Sequence, residues 1–181
     1  LAYDWTGDGW PDVLNMGGNA GNGVGTLFVN PKGESRRWDS HVVMNPPEGV
    51  VGNEETLLKD VNGDGKPEII HTGQNTLRYS SPDSANPTGA WKVTTISEPG
   101  PWGVNISHGM GIGDINSDGL MDYVTAYGWW QQPAKNSPAG TLWKWHPVAF
   151  ARWGASQGGA GGAEMGIFDV NGDGLNDVVT A

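Results

Sequence analysis

The chain has 181 residues, with 20 Asp and Glu against 10 Lys and Arg and a formal net charge of −10. The absence of cysteine excludes a disulfide framework and thiolate metal sites, and the few, scattered cations argue against a nucleic-acid partner. Thirty glycines and 12 prolines work against long helices, no apolar stretch reaches membrane-spanning length, and 36% hydrophobic residues with ten tryptophans argue against disorder.

In chain order, the sequence opens at the end of a strand and enters an acidic loop, Asp4-Trp-Thr-Gly-Asp-Gly-Trp-Pro-Asp12. A β-branched run over 13–16 predicts a second strand, and apolar runs over 27–31 and 38–43 predict a third and fourth. The series then restarts. A strand over 55–59 leads into Asp60-Val-Asn-Gly-Asp-Gly-Lys-Pro-Glu68, with strands over 69–72, 77–82 and 91–96. A third round runs from 109–113 through Asp114-Ile-Asn-Ser-Asp-Gly-Leu-Met-Asp122 to strands over 123–127, 129–133 and 143–148. A glycine-rich, flexible connection over 154–163 precedes a strand over 164–168, the loop Asp169-Val-Asn-Gly-Asp-Gly-Leu-Asn-Asp177 and a last strand from 178.

The first aspartates of the four loops lie 56, 54 and 55 residues apart, and Pro31, Pro82 and Pro133 repeat at intervals of 51. Such a period marks a repeat architecture. One repeat is four short strands with an acidic loop between the first two, and Trp38, Trp91 and Trp143 stand at the head of its fourth strand as packing residues between repeats. Tandem four-stranded units are propeller blades, so the fold class is all-β, a β-propeller of four-stranded blades. About three blades and part of a fourth are present, fewer than the roughly four to eight that close a ring. Because the chain begins mid-strand at Leu1 rather than Met, it reads as a fragment, 1–181, with an upstream segment missing. The remaining blades would come from the same or another chain.

The loops (4–12, 60–68, 114–122 and 169–177) carry oxygen-bearing side chains at positions 1, 3 and 5, and a glycine at position 6 that allows a tight curl. Hard oxygen ligands in a flexible loop are what Ca²⁺ requires. Twelve of the 20 acidic residues occupy positions 1, 5 and 9 of these loops, and four Ca²⁺ ions would bring the net charge to about −2. Asp-Asn-Gly segments also make ordinary polar turns, but agreement position by position in four copies sets these apart. An EF-hand is excluded: position 12 is Asn15, His71, Thr125 or Thr180 where a bidentate Glu is needed, and strands rather than helices flank the loops. Calcium loops suited to millimolar calcium point to an extracellular, periplasmic or cell-surface location.

A strand–DxNxDGxxD–strand unit resembles the FG-GAP or VCBS repeat, the calcium-loop blade of integrin α-subunit propellers and of many secreted bacterial proteins. The resemblance implies ligands from the side chains at loop positions 1, 3, 5 and 9 and the carbonyl at position 7, and a seven-bladed whole. The first site would then use Asp4, Thr6, Asp8, Asp12 and the Trp10 carbonyl, and the second Asp60, Asn62, Asp64, Glu68 and the Lys66 carbonyl. The third would use Asp114, Asn116, Asp118, Asp122 and the Leu120 carbonyl, and the fourth Asp169, Asn171, Asp173, Asp177 and the Leu175 carbonyl. Thr6 in place of Asn, Ser117 in place of Gly and Glu68 in place of Asp depart from the pattern, which ranks the fourth loop first and the first loop last.

In such a blade the second inter-strand loops and the blade connections lie opposite the calcium loops. Glu54, Glu55, His71, Gln74, Trp102, His108, Tyr127, Trp129 and Glu164 are placed there. His41 and His146 recur at equivalent places and read as structural; His71, His108 and Glu164 are the candidates for catalysis. Two functions remain. The preferred one is a calcium-stabilised binding or scaffold domain for carbohydrate or protein, with Trp102 and Trp129-Trp130 as stacking platforms. The alternative is part of a sugar-processing lyase or dehydratase with an axial-channel active site, resembling the propeller of aldos-2-ulose dehydratase.

Overall fold

A computed structural model describes residues 1–17, 23–45, 56–103, 109–150 and 164–180. The described residues form strands, turns and bends without a helix, so no helix is long and apolar enough to cross a membrane. Blade 1 comprises β1 (Ala2–Tyr3), β2 (Asp12–Met16), β3 (Gly25–Val29) and β4 (Asp39–Met44). Blade 2 comprises β5 (Leu57–Lys59), β6 (Glu68–Gly73), β7 (Thr76–Ser81) and β8 (Lys92–Thr95). Blade 3 comprises β9 (Met110–Gly113), β10 (Asp122–Thr125), β11 (Gly128–Gln131) and β12 (Lys144–Pro147). A fourth, two-stranded sheet pairs β13 (Met165–Phe168) with β14 (Asp177–Thr180). Each sheet is an antiparallel meander in sequence order, with the acidic loop joining its first two strands. Three blades and part of a fourth stand as expected from the sequence.

The cores lie between blades, because with no helix to cover them the sheets bury their apolar faces on one another. Trp5, Leu14, Leu27, Val43 and Met44 of blade 1 pack on Ile69 and Trp91 of blade 2. Val61, Ile70, Leu77 and Ile96 of blade 2 pack on Met110, Tyr123, Trp130 and Trp143 of blade 3. The tryptophans before β8 and β12 reach back to the preceding blade: the Trp91 amide donates to the Val43 carbonyl and the Trp143 amide to the Ile96 carbonyl, both at 2.8 Å. Trp91 sits 4.9 Å from the Trp5 ring and Trp143 is 6.5 Å from Tyr79. Trp38, at the same position of blade 1, is exposed, as are Val13 and Val42 on that side of the sheet. A side chain on Gly111 of β9 would collide with the Met165 carbonyl, so glycine lets the innermost strands of successive blades approach.

His71 departs from the reading as a candidate for catalysis. It lies on β6 in the interior, fully buried, with Nε2 2.8 Å from Ser80 Oγ and Nδ1 3.1 Å from the Thr72 carbonyl. A carbonyl only accepts, so Nδ1 carries the proton and Nε2 accepts from the serine hydroxyl. Burial pushes its pKa down to about 4, the Thr72 carbonyl opposes this, and the Arg78 charge adds to it. The folded state therefore resists a proton that the unfolded chain accepts near pH 6.5. Stability is full above that value and falls as the pH drops toward 4, by about 3 kcal/mol. Urea midpoints measured across this window are expected to show that slope, and His71→Gln to flatten it; an unchanged slope in the variant would assign it elsewhere.

Candidate functional site: the four acidic loops

The four loops share one conformation, and its cause is the same in each. The position-1 aspartate accepts from the amides of positions 5 and 6: Asp8 and Gly9 on Asp4 at 3.0 and 2.8 Å, Asp64 and Gly65 on Asp60 at 3.2 and 2.8 Å. Asp118 and Gly119 bond to Asp114 at 3.1 and 2.9 Å, and Asp173 and Gly174 to Asp169 at 3.1 and 2.8 Å. The position-5 aspartate accepts from the position-7 amide, as with Leu175 on Asp173 at 2.9 Å. Position 6 has φ between 81 and 89° in all four copies, the left-handed region that glycine adopts freely. Position 4 is left-handed as well, a requirement not read from the sequence. Gly7, Gly63 and Gly172 meet it without strain, and Ser117 takes it at φ 62°.

The position-9 acid ties each loop to its blade. Glu68 accepts from the Val61 amide at 2.8 Å, Asp122 from Ile115 at 3.0 Å and Asp177 from Val170 at 3.1 Å. In the first loop Asp12 accepts from Thr6 at 3.0 Å, and its other oxygen accepts from the Asn30 amide beyond β3 at 2.9 Å. The extra methylene of Glu68 carries its second oxygen to Asn62 Nδ2 at 2.7 Å. Asp12, Glu68 and Asp122 are buried.

In the second and third loops the position-3 side-chain amide reaches the position-5 carboxylate, and in the second the position-9 carboxylate as well. Asn116 Nδ2 is 2.9 Å from Asp118 and Asn62 Nδ2 3.3 Å from Asp64, while Asn62 also reaches Glu68. Burial, first, and then the carboxylates of Asp118 and Asp114 push the Asp122 pKa up to about 6, against the lowering effect of the Gln132 and Ile115 amides. Glu68 is raised for the same leading reason, with Asp64 and Asp60 contributing. Asp169 is lowered, chiefly by the Gly174 amide. Among the described residues no three His, Asp or Glu side chains form a ready cluster for a metal; the carboxylates are turned to loop amides. The donors are nonetheless all hard oxygens around a point where negative charge is crowded, the chemistry a divalent cation of the calcium type accepts.

The first loop differs from the others. Lys32 Nζ stands 3.2 Å from the Asp8 carboxylate. The Asp8 pKa is lowered, first by the Trp10 amide, with burial opposing and Lys32 and Thr6 assisting. Thr6 Oγ1 is buried without a partner of hydrogen-bonding geometry, whereas Asn62, Asn116 and Asn171 each accept from the position-5 amide. The Lys32 ammonium on the position-5 carboxylate competes with a cation for this loop.

The opposite end is less open than expected. Gln74 and Asn75 turn the β6–β7 hairpin at φ 51 and 60°, and Gln74 Oε1 accepts from Arg78 Nη2 at 2.7 Å. The Asn75 carbonyl accepts from Gly100 at 2.8 Å, which ties this hairpin to the blade connection. Trp102, half-buried, lies 5.1 Å from Trp130 and 4.9 Å from Trp145, with Tyr127 at 6.4 Å. It is an anchor rather than a free platform. Trp130 is in the core, which removes it as a stacking surface, and Trp129 lies parallel to His146 at 4.1 Å. His146 also meets Gln131 at 3.1 Å, in keeping with a structural role. Glu164 is exposed just before β13; Glu54, Glu55, His108 and the 154–163 connection lie outside the described residues. The sequence reading missed Arg78, a buried cation held by Thr76 Oγ1 and Gln74, and Gln132, whose side chain bridges the second and third loops. Both lie in the repeated runs ending at Pro82 and Pro133, but neither residue type recurs at its place in the other blades.

No curated protein matches this chain. Residues 60–125, from the second acidic loop through β10, match the FG-GAP-like repeat family. With its loops, strand order and blade-to-blade cores, the chain is made of β-propeller blades and carries an FG-GAP-like repeat.

Proposed function

We propose that the whole chain is a calcium-binding β-propeller module of an exported protein, in which the ions rigidify the loop face and the module serves as a binding or scaffold domain for carbohydrate or protein. The observation that carries this reading is the loop conformation common to all four copies, in which the position-1 aspartate accepts from the amides of positions 5 and 6. Calcium bound there supplies the positive charge that the acids at positions 1, 5 and 9 call for. Asp60, Asn62, Asp64 and Glu68, with the Lys66 carbonyl, would hold one ion; Asp114, Asn116, Asp118, Asp122 and the Leu120 carbonyl another; Asp169, Asn171, Asp173, Asp177 and the Leu175 carbonyl a third. Asp4, Thr6, Asp8, Asp12 and the Trp10 carbonyl form the weakest set, since Lys32 already holds Asp8. Weak sites fit an extracellular, periplasmic or cell-surface setting, where calcium is about millimolar.

Calorimetric titration of calcium into the chelator-stripped chain tests it. Three or four sites with Kd of about 10⁻⁴–10⁻³ M are expected, the range of extracellular modules. Asp173→Asn is expected to remove one site and leave the others. Absence of calcium heat in the folded chain overturns the reading.

A further inference from the structure

Three departures from the repeat fall on the first loop, and none recurs in the other copies. Thr6 replaces the position-3 asparagine, and Trp10 stands at position 7 where the others carry Lys66, Leu120 and Leu175. Lys32 follows the repeated proline, where the equivalent residues are Asp83 and Ala134. The fold brings the last two together. A Cβ on Gly33 would stand 3.8 Å from the Trp10 ring, so the turn after β3 lies against the loop.

That turn is built to present Lys32. The Asn30 amide donates to Asp12 at 2.9 Å, its Nδ2 donates to the Pro11 carbonyl at 2.9 Å, and its Oδ1 accepts from the Lys32 amide at 2.9 Å. The chain after β3 is thereby pinned to the two residues that end the loop. Lys32 takes φ 57°, a left-handed conformation that is costly for a residue with a side chain and that Asp83 and Ala134 do not adopt. A lysine kept in such a conformation points to a task for its side chain. Its Nζ lies 3.2 Å from Asp8 Oδ2, and Asp8 Oδ1 accepts from the Trp10 amide at 2.9 Å, so both oxygens of the position-5 carboxylate are engaged. In the second and third loops the corresponding oxygen meets neutral side-chain amides, Asn62 at Asp64 and Asn116 and Gln131 at Asp118. Lys135 approaches the second loop beside Gly63, but among the described residues it forms no ion pair with a carboxylate there.

We propose that Lys32 is the built-in counter-cation of the first loop: its ammonium neutralises the position-5 carboxylate in place of a metal ion, and blade 1 closes without calcium. This rests on the reading of the loops as calcium sites and narrows it to the other three. An ammonium on a ligand carboxylate repels a divalent ion from it. The hydroxyl of Thr6 offers no amide carbonyl in compensation. Blade 1 then stays ordered when calcium is withdrawn, while the other loops loosen.

The Lys32 side chain is 56% exposed, so its substitution disturbs no core. The test uses the full chain as wild type, Lys32→Met and Lys32→Arg, with melting curves showing that the variants fold. Calorimetry with calcium is expected to count three sites in the wild type and in Lys32→Arg, and four in Lys32→Met, whose first loop gains about tenfold or more in affinity. Amide hydrogen exchange read by NMR supplies a second measure. In the wild type, EDTA is expected to leave the Asp8 and Gly9 amides unchanged and to speed exchange at Gly119 and Gly174. In EDTA, Lys32→Met is expected to speed exchange at Asp8 and Gly9 about threefold, with Gly119 unaffected. With calcium heats present, an unchanged number of sites in Lys32→Met overturns the proposal. So does equal exchange at Asp8 and Gly9 in the wild type and Lys32→Met in EDTA. Either result defeats the role of Lys32 alone; faster exchange in Lys32→Met, with no calcium heat in any of the proteins, defeats the calcium reading alone.

Discussion

Stripping calcium with EDTA is expected to lower the unfolding temperature of this chain more than any single substitution. A ligand bound only by the folded state stabilises it by RT ln(1 + [L]/Kd), about 2.7 kcal/mol per site at a hundredfold excess over Kd. Three occupied loops would contribute about 8 kcal/mol, or roughly 15–30 °C for a domain of this size. Electrostatics acts in the same direction. In the third loop burial and the neighbouring Asp118 and Asp114 push Asp122 up to about 6, and in the second burial, Asp64 and Asp60 raise Glu68. Without a cation that repulsion opposes the loop, and with it the hairpins that position 9 pins to the blade through the Val61, Ile115 and Val170 amides. Thermal melts with calcium at a hundredfold excess over the calorimetric Kd, and in EDTA, measure the difference. Identical curves would reduce the four loops to polar turns.

Trp91→Ala is expected to cost about 3–5 kcal/mol, the range for deleting a buried aromatic side chain. Trp91 is 5% exposed, packs on Trp5 and on the blade 1 core, and donates from Nε1 to the Pro87 carbonyl at 2.9 Å. Its removal opens a cavity at the seam between blades 1 and 2, where neither sheet can relax without losing the partner's contacts. Trp38→Ala, at the equivalent position of blade 1, is expected to cost about 1 kcal/mol or less in this chain, since that side chain is 38% exposed. Urea midpoints of the two variants measure the contrast. Equal losses would mean that the repeated tryptophans act within their own blades rather than across the seam.

The sequence by itself determined the blade and its number. Acidic loops at a steady interval, β-branched runs on either side and Trp38, Trp91 and Trp143 before the fourth strands sufficed, because a repeat forces equivalent residues into equivalent places. The tight curl of the loops was legible for the same reason, since geometry within nine residues is local. What concerned a single blade was not legible. His71 looked special because the other blades lack it, but uniqueness does not distinguish a ligand from an interior hydrogen bond to Ser80. Trp130 and Trp102 read as surface aromatics, and only the packing of blade 2 against blade 3 decided that one is core and the other an anchor. Local chemistry is written in the repeat, whereas solvent access and hydrogen-bond pairing depend on which residues of different blades meet across a seam.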